Sequence, residues 1–232
     1  ENLLKNKMSD NLFEEIKINL KKDKSNHLTI MHDIIVNLKL KTIVECGVDR
    51  GASTCAFLEA IKKKDGNLYS FDIKNCSNLF NDKNWNFSQI NDVDLSKIIN
   101  KFPEIKERGI DLLYIDSYHE PNHVRKILNL YYPLININGH IFVDDTSSYP
   151  FRKLNILTDS INSDLCKEEV EEFFYSNFNT FEFKYNGSEN GLSILKKIKK
   201  DKLNKNSIWK YNFFIYQIFK LIKKIKYKFF YK

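Results

Sequence analysis

A glycine turn followed by an acid is the part of this chain that could most directly do chemistry. Gly47 and Gly51 lie between an apolar run, residues 42–46, and a helical pattern that begins at residue 52. Glycines let a backbone approach a ligand closely, and the start of the helix offers free N–H groups. Asp72 ends the next apolar run, where an acid can accept hydrogen bonds from the two hydroxyls of a ribose. The pattern predicts a nucleoside-binding pocket.

Acidic residues follow four of the predicted strands. In a parallel sheet the carboxyl ends of the strands share one edge, so these acids should converge on one crevice. Carboxylates that lie together repel each other unless a cation sits among them, and an all-oxygen set suits Mg²⁺, Mn²⁺ or Ca²⁺. Asp116, Asp144 and Asp145 are the predicted metal ligands. The alternative is that these acids only cap the helices that follow. The complete set is Glu45, Asp72, Asp116, Asp144 and Asp145.

A histidine lies close to the predicted metal ligands. His119 comes three residues after Asp116, in the loop before the next helical pattern. An imidazole titrates in the right range to take the proton of a hydroxyl beside a metal, so His119 is the predicted general base. His123, one turn further on, is the competing candidate. The remaining histidines have no partner that the sequence reveals and are interpreted as structural: His27, His32 and His140.

Alternating strand and helix patterns must position these residues. Amphipathic stretches at about residues 3–20 and 28–38 predict helices that cover one edge of a sheet. The alternation that follows predicts an α/β fold with a doubly wound, Rossmann-like, mostly parallel sheet, closed by an antiparallel pair at 178–185 and 192–197. The parallel strands are expected at 41–46, 67–72, 86–90, 110–115 and 140–144, and the helices between and after them at 52–63, 93–101, 121–132 and 167–176.

The charge of the chain is unevenly distributed. The 232 residues carry +7; residues 196–232 hold 13 lysines and one acid, hence +12, which leaves −5 on residues 1–195. An acidic body argues against a nucleic-acid partner, which would need basic residues on the folded surface. Four cysteines without CxxC spacing, and no secretory pattern, predict a cytoplasmic protein with reduced thiols. We predict an N-terminal helical cap (1–40), an α/β domain (41–199) and a basic tail (200–232).

The basic tail repeats apolar residues at helical spacing. Isoleucines and aromatic residues recur every three or four positions between residues 208 and 229, interspersed with lysines. Its central charge-free run, residues 211–219, is too short to span a bilayer. A basic, aromatic-rich amphipathic helix favours peripheral contact of residues 208–232 with the anionic inner face of a membrane. Packing on the body and pairing with the tail of a second copy, which would give a homo-oligomer, are the alternatives.

Four motifs in order resemble those of class I S-adenosylmethionine-dependent methyltransferases. They are Glu45-Cys46-Gly47-x-x-x-Gly51-x-Ser53-Thr54, Tyr69-Ser70-Phe71-Asp72, Tyr114-Ile115-Asp116-Ser117-Tyr118-His119 and Gly139-His140-Ile141-Phe142-Val143-Asp144-Asp145-Thr146. Within that class they are most similar to the metal-dependent sugar O-methyltransferases, which include the macrocin and mycinamicin enzymes, and to the cephalosporin hydroxylase-like group. The resemblance covers about residues 41–146. It departs at Ser117-Tyr118, where the family often has Gly-Asp, and at Asn138, where it often has Gly.

The resemblance implies a cofactor and a role for each motif. The first motif of the family holds the methionine part of S-adenosylmethionine, and the acid after the second strand, here Asp72, holds the ribose. The aspartates after the fourth and fifth strands bind Mg²⁺ (or Mn²⁺) together with two neighbouring oxygens of the substrate, and in some members a histidine placed like His119 is the base. Cofactor contacts would fall on Glu45, Gly47, Gly51, Ser53, Thr54, Asp72 and Asp116, metal contacts on Asp116, Asp144 and Asp145, and catalysis on His119 and Asp116.

The implied function is Mg²⁺-dependent O-methylation of a sugar or sugar-containing small molecule, and a membrane-bound tail would suit bacterial surface-polysaccharide biosynthesis. Two other functions fit parts of the sequence. One is a nucleoside-binding interaction module without turnover, against which the complete acid set and His119 argue. The other is an NAD-dependent oxidoreductase, whose turn would normally read GxGxxG, whereas residues 47–51 read Gly-Val-Asp-Arg-Gly.

Overall fold

Seven strands form one sheet in the computed structural model, which describes residues 2–62, 65–149 and 157–203 together with Ile218, Leu221, Ile222 and Ile225. The strands are β1 (Thr42–Cys46), β2 (Asn67–Asp72), β3 (Trp85–Gln89), β4 (Ile110–Ile115), β5 (Ile135–Val143), β6 (Phe181–Asn186) and β7 (Leu192–Lys197). Their order across the sheet is β3-β2-β1-β4-β5-β7-β6. β1 to β5 are parallel, and β7 runs antiparallel to both β5 and β6. This confirms the predicted doubly wound sheet with its antiparallel closing pair.

Helices cover both faces of the sheet. They are α1 (Asn2–Lys22), α2 (His27–Leu38), α3 (Ala52–Ile61), α4 (Leu95–Lys101), α5 (Glu104–Arg108), α6 (Pro121–Tyr131) and α7 (Leu157–Ser176). On one face α2 and α3 bury Met31 and Phe57 against the strands, and α1 packs on the outside of α3. On the other face α4 to α7 enclose a larger core around Leu113 and Ile127. The two faces together bury the sheet as a parallel sheet requires.

Side-chain caps fix where two helices near the sheet edge begin. The side-chain oxygen of Asn26 accepts hydrogen bonds from the backbone N–H groups of Leu28 and Thr29, at 2.9 and 3.4 Å, so α2 starts at His27. The carboxylate of Glu120 accepts a hydrogen bond from the N–H of His123 at 3.0 Å, at the start of α6. Both starts place a histidine at the carboxyl edge of the sheet.

The structure differs from the sequence prediction mainly in where elements begin. β5 starts at Ile135 rather than at 140, because its Asn- and Gly-rich first half has little strand propensity. Asn138 there has φ 65° and the pairing with β4 shifts register, as at a bulge. α7 begins ten residues before the predicted helix at 167–176. α5 was not predicted, since a five-residue helix is too short to show a period.

The tail lies mostly outside the described residues. Residues 200–203 are described and are neither helix nor strand. Of the later residues, Ile218, Leu221, Ile222 and Ile225 are described; they are helical, and between 41% and 57% of each is exposed. The other members of the predicted stripe between 208 and 229 lie outside the described part. Within that part, no helix has the length and apolar character needed to cross a membrane.

Candidate active site

A cavity of about 600 Å³ opens at the carboxyl edge of the sheet. The segments that follow β1, β2, β3 and β4 form its walls, so it lies where ligands bind in open α/β sheets. Its lining residues are Gly47, Val48, Asp49, Phe71, Asp72, Ile73, Lys74, Ile90, Asn91, Asp92, Asp116, Ser117, Tyr118, His119 and His123. The predicted cofactor residues Gly47, Asp72 and Asp116 are therefore brought together in one space.

Asp72 is fixed beneath the glycine turn by backbone hydrogen bonds. One carboxylate oxygen accepts from the N–H groups of Val48 and Asp49, at 2.9 and 3.1 Å, and the other accepts from the N–H of Lys74 at 2.8 Å. Burial raises the pKa of Asp72, but these N–H donors outweigh it and the net shift is downward. Asp72 is thus a rigid anion, and Oδ1, which accepts only one of these three hydrogen bonds, can still accept from a hydroxyl donor in the cavity.

Glu45 lies behind the cavity instead of in its wall. It is fully buried and accepts hydrogen bonds from the hydroxyls of Ser53, Thr54 and Ser70, at 2.6, 2.8 and 2.6 Å. Burial raises the pKa of Glu45 to about 7, although the three hydroxyls oppose the shift. This network ties the start of α3 to β1 and β2. Ser53 and Thr54 turn toward Glu45, and Gly51, the residue before α3, is likewise absent from the cavity lining, so their predicted cofactor contacts stay predictions.

Asp116, His119 and Asp145 form a group at the end of the cavity. The imidazole Nε2 of His119 lies 3.3 Å from Asp116 Oδ1 and 3.2 Å from Asp145 Oδ2. One ligand atom from each residue can be chosen so that all three lie within 4.8 Å of one another. Two carboxylates and an imidazole nitrogen are donors that Mn²⁺ and related divalent cations accept, so these residues fit a metal.

The pKa shifts in this group follow from burial and crowded negative charge. Burial raises the pKa of Asp145 to about 6; the charge of His119 opposes the shift, and the charges of Asp144 and Asp116 add to it. Burial also raises the pKa of Asp116. In His119, burial lowers the pKa, but the hydrogen bond to Asp116 and the charge of Asp145 raise it more. The site therefore favours positive charge, whether from a protonated imidazole or from a metal ion.

Asp144 is not one of those three residues, although it is adjacent to Asp145. Its Oδ2 accepts a hydrogen bond from the hydroxyl of Tyr114 at 2.7 Å, and its Oδ1 lies 3.2 Å from Nδ1 of His27. The two aspartates diverge because Asp145 has φ 53°, a left-handed conformation that re-aims its side chain. Burial raises the pKa of Asp144, but the hydrogen bonds from His27 and Tyr114 lower it by more, so the net shift is downward. Asp144 as the third metal ligand stays a prediction.

Sequence reasoning missed Asp92, which lines the cavity and is 6% exposed. Nε2 of His123 lies 3.1 Å from Asp92 Oδ2, and the hydroxyl of Ser117 donates to the same oxygen. His123 therefore faces Asp92, while His119 faces Asp116 and Asp145, which we call the acid cluster. Its position in the sequence could have identified it, because Asp92 comes three residues after Gln89, where β3 ends at the same sheet edge.

A family model described as a methyltransferase domain matches residues 44–146. That range holds the glycine turn, Asp72, Asp92 and the acid cluster with His119. The match covers less than half of the 232 residues and shows a resemblance to methyltransferase domains within that segment. An uncharacterised protein of Acanthamoeba polyphaga mimivirus is 30% identical over 118 residues, which are 47% of this chain and 52% of that protein. The chain thus spans about half the length of this relative.

Solved structures of methyltransferases share the fold around this domain. A Staphylococcus aureus protein assigned as a caffeoyl-CoA O-methyltransferase has a TM-score of 0.58 at 15% identity, over 84% of this chain and 99% of its own. The SAH-bound Podospora anserina methyltransferase PaMTH1 has a TM-score of 0.61 at 13% identity, over 83% and 88%. MycE of the mycinamycin biosynthetic pathway, in complex with Mg, SAH and mycinamycin VI, has a TM-score of 0.51 at 14% identity, over 86% and 57%. At these identities the likeness establishes the fold.

Proposed function

We propose that this chain is a Mg²⁺- or Mn²⁺-dependent O-methyltransferase that methylates a sugar hydroxyl next to a second oxygen, with S-adenosylmethionine as donor. One observation carries the proposal: the nucleoside-type cavity ends at a cluster of two carboxylates and His119 on the same sheet edge. A donor pocket and a group suited to activate a hydroxyl are therefore adjacent. The shared fold of MycE, solved with Mg, SAH and mycinamycin VI, supports the same combination.

The cavity residues would bind and orient the donor. Asp72, fixed by three backbone N–H groups, would accept the ribose hydroxyls. Asp92, fixed by Ser117 and His123, would accept a hydrogen bond from the amino group of the adenine ring. Gly47 would let the backbone approach the methionine part closely. S-adenosylmethionine, when bound, supplies an electrophilic methyl group on a positively charged sulfur.

The acid cluster would prepare the acceptor. Asp116 and Asp145 would supply two carboxylates for the cation, and Asp144 a third through the oxygen that contacts Tyr114. The cation, when bound, supplies positive charge that lowers the pKa of a nearby hydroxyl. His119 would take the proton of that hydroxyl, because its ring lies beside Asp116 and Asp145, the proposed ligands of the cation. Catalysis would rest on this positioning and on the electrostatics at the developing alkoxide.

A sugar acceptor fits the residues around the cluster. Tyr118, 64% exposed, lies in the cavity wall next to His119, and its ring packs edge-on against His123 at 5.7 Å. Such a held aromatic face can stack on the apolar face of a pyranose ring. The amide of Asn190 lies near Asp145 and lowers the pKa of its carboxyl group, which adds an amide beside the carboxylates. Aromatic and amide groups together favour a neutral, hydroxyl-rich acceptor over an acidic one.

The test combines cofactor binding with methyl transfer. The purified protein should bind S-adenosylhomocysteine in calorimetry and transfer labelled methyl groups to components of a sugar and glycan panel, resolved by mass spectrometry. EDTA should abolish transfer, and Mg²⁺ or Mn²⁺ should restore it. Asp145→Asn should lose transfer and keep S-adenosylhomocysteine binding. The matched control is Asp94→Asn, which should change neither, because Asp94 is paired with Lys97 and does not line the cavity.

Two outcomes would contradict the proposal in different ways. Binding of NAD without binding of S-adenosylhomocysteine would exclude the methyltransferase assignment. Full turnover in excess EDTA would exclude the metal and reduce Asp116, Asp144 and Asp145 to residues that orient His119.

We also propose that residues 208–232 lie on an anionic membrane surface. The supporting observation is that Ile218, Leu221, Ile222 and Ile225 are helical, spaced on one face and at least 41% exposed. The surrounding lysines supply the charge that anionic lipids attract.

Sedimentation with vesicles tests the membrane proposal. The full chain should pellet with vesicles that contain anionic lipid, and salt should release it by screening the lysines. A chain that ends at Leu203 should stay in solution and keep S-adenosylhomocysteine binding. Equal vesicle binding by both forms would contradict the proposal. A mass that halves on truncation, with no lipid binding by either form, would instead assign the tail to pairing between two copies.

A further inference from the structure

His27, which has no partner in the sequence pattern, lies at the acid cluster. It is the first residue of α2 and only 3% exposed. Its Nδ1 lies 3.2 Å from Asp144 Oδ1 and 3.5 Å from Glu189 Oε2. His27 precedes the range 44–146 that matches the methyltransferase domain, so it contributes a contact to the cluster from outside the matched segment.

The two oxygens of Asp144 are held by different elements. Oδ1 is held by His27 from α2, and Oδ2 by the hydroxyl of Tyr114 from β4. The same hydroxyl oxygen lies 3.0 Å from Asp116 Oδ2, so the Tyr114 hydroxyl lies between one oxygen of Asp144 and one oxygen of Asp116. The last torsion of an aspartate has a broad energy profile, and a single contact would leave the carboxylate free to rotate. The pair of contacts fixes which oxygen faces the cluster.

The start of α2 is itself hydrogen-bonded to the turn between β6 and β7. Asn26 caps α2 and donates its side-chain N–H to Glu189 Oε1 at 2.6 Å. The backbone N–H of His27 donates to Glu189 Oε2 at 3.1 Å, and the hydroxyl of Ser188 donates to the carbonyl of Ser25 at 3.1 Å. The ring of His27 therefore has a defined place relative to β5, although α2 is remote from it in sequence.

We propose that His27 is a positioning residue for Asp144, and that its ring orients the carboxylate that completes the cation site. This inference rests on the proposed metal-dependent function. Because a neutral imidazole with its proton on Nδ1 and an imidazolium can both donate from Nδ1, the role does not depend on the charge of His27. Residues that hydrogen-bond a metal ligand typically affect metal affinity by about 10–100-fold when they are removed. The N-terminal helices thereby contribute to the site as well as covering the sheet.

The experiment measures Mn²⁺ affinity from the electron paramagnetic resonance signal of free Mn²⁺, with S-adenosylhomocysteine present. His27→Leu fills a similar volume without a donor and should weaken Mn²⁺ binding by about 10–100-fold. His27→Asn keeps a side-chain N–H near the position of Nδ1 and should recover most of the affinity. The matched control is His32→Leu, on the same helix. Nδ1 of His32 contacts the neighbouring Asp33, so this variant should leave Mn²⁺ affinity unchanged. Calorimetric S-adenosylhomocysteine binding should be equal in all four proteins.

The outcomes separate this inference from the proposed function. Wild type that binds S-adenosylhomocysteine but no Mn²⁺ would refute the metal site, and the inference with it. Wild type that binds Mn²⁺, with His27→Leu equally tight, would refute the inference alone. A general loss of stability could also weaken Mn²⁺ binding in His27→Leu. In that case His27→Asn should melt at the same lowered temperature and recover no Mn²⁺ affinity. That result would also overturn the positioning role.

Discussion

Gly47 lies directly against the backbone of Asp116. A Cβ placed on Gly47 would stand 2.0 Å from the carbonyl oxygen of Asp116, and Gly47 has φ 95°. The turn after β1 and the end of β4 are therefore in contact at one point, where the cavity meets the acid cluster. No side chain fits between them, so the turn that lines the cavity and the segment that carries Asp116 are in contact through their backbones.

Gly47→Ala is expected to disturb both sites at once. The positive φ alone should cost about 1–3 kcal/mol of the free energy of unfolding, and displacement of the Asp116 carbonyl should add to this. Urea unfolding measures the loss. Gly187→Ala is the control, because its added Cβ would meet only a side-chain carbon, at 3.4 Å. Equal stability of the two variants would show that the contact between Gly47 and Asp116 is loose.

Asp72→Ala is expected to weaken S-adenosylhomocysteine binding by about 1.5–3 kcal/mol, the scale of hydrogen bonds to a charged group. The reason is that Asp72 is a fixed anion in the cavity wall, held by backbone N–H groups that leave lone pairs for the ligand. Calorimetry provides the measurement, and exposed Asp94→Ala is the control. Unchanged affinity in Asp72→Ala would place the nucleoside elsewhere.

His119 and His123 are expected to affect different kinetic constants. His119→Ala should lower kcat by roughly 10²–10⁴, the usual contribution of general-base catalysis. His123→Ala should instead raise the Kd of S-adenosylhomocysteine with little change in kcat, because His123 contacts Asp92 and Ser117 in the cavity wall. Steady-state rates at saturating cofactor separate the two. Near-normal kcat in His119→Ala would transfer the base role to an aspartate of the cluster.

Glu45→Gln is expected to change how stability depends on pH. Burial raises the pKa of Glu45 to about 7 from a model-peptide value of 4.5, so between these values the native state keeps a proton that the unfolded state releases. The stability of the wild type should therefore fall as pH rises from 4.5 to 7, by about 3 kcal/mol from this group. Glutamine cannot titrate, so the free energy of unfolding of the variant should rise relative to that of the wild type over that interval.

Urea unfolding at pH 5, 6, 7 and 8 gives the difference between the two proteins at each pH. The absolute stability of Glu45→Gln does not matter, because only the slope of that difference reports the proton. A flat difference would mean that Glu45 is ionised when the protein is folded.

The sequence alone determined the sheet, the glycine turn and the acids at the strand ends. These features are local: apolar periodicity marks a strand, glycine marks a turn, and an acid directly after a parallel strand must lie at the carboxyl edge. For the same reason Asp72, Asp116 and His119 could be assigned to one crevice without coordinates. Family resemblance added the methyltransferase fold, which the comparison with known proteins confirms.

The tertiary structure alone decided where each of these side chains points and which partner it meets. Glu45 is buried behind α3, Asp92 enters the cavity with His123, and Asp144 turns to His27, which is 117 residues away in sequence. No local pattern encodes such pairs, because the direction of a side chain at the end of a strand depends on one or two backbone torsions, such as the φ of 53° at Asp145. Packing of α2 against the sheet then supplies the partner, which is why His27 became visible as part of the site only in the folded chain.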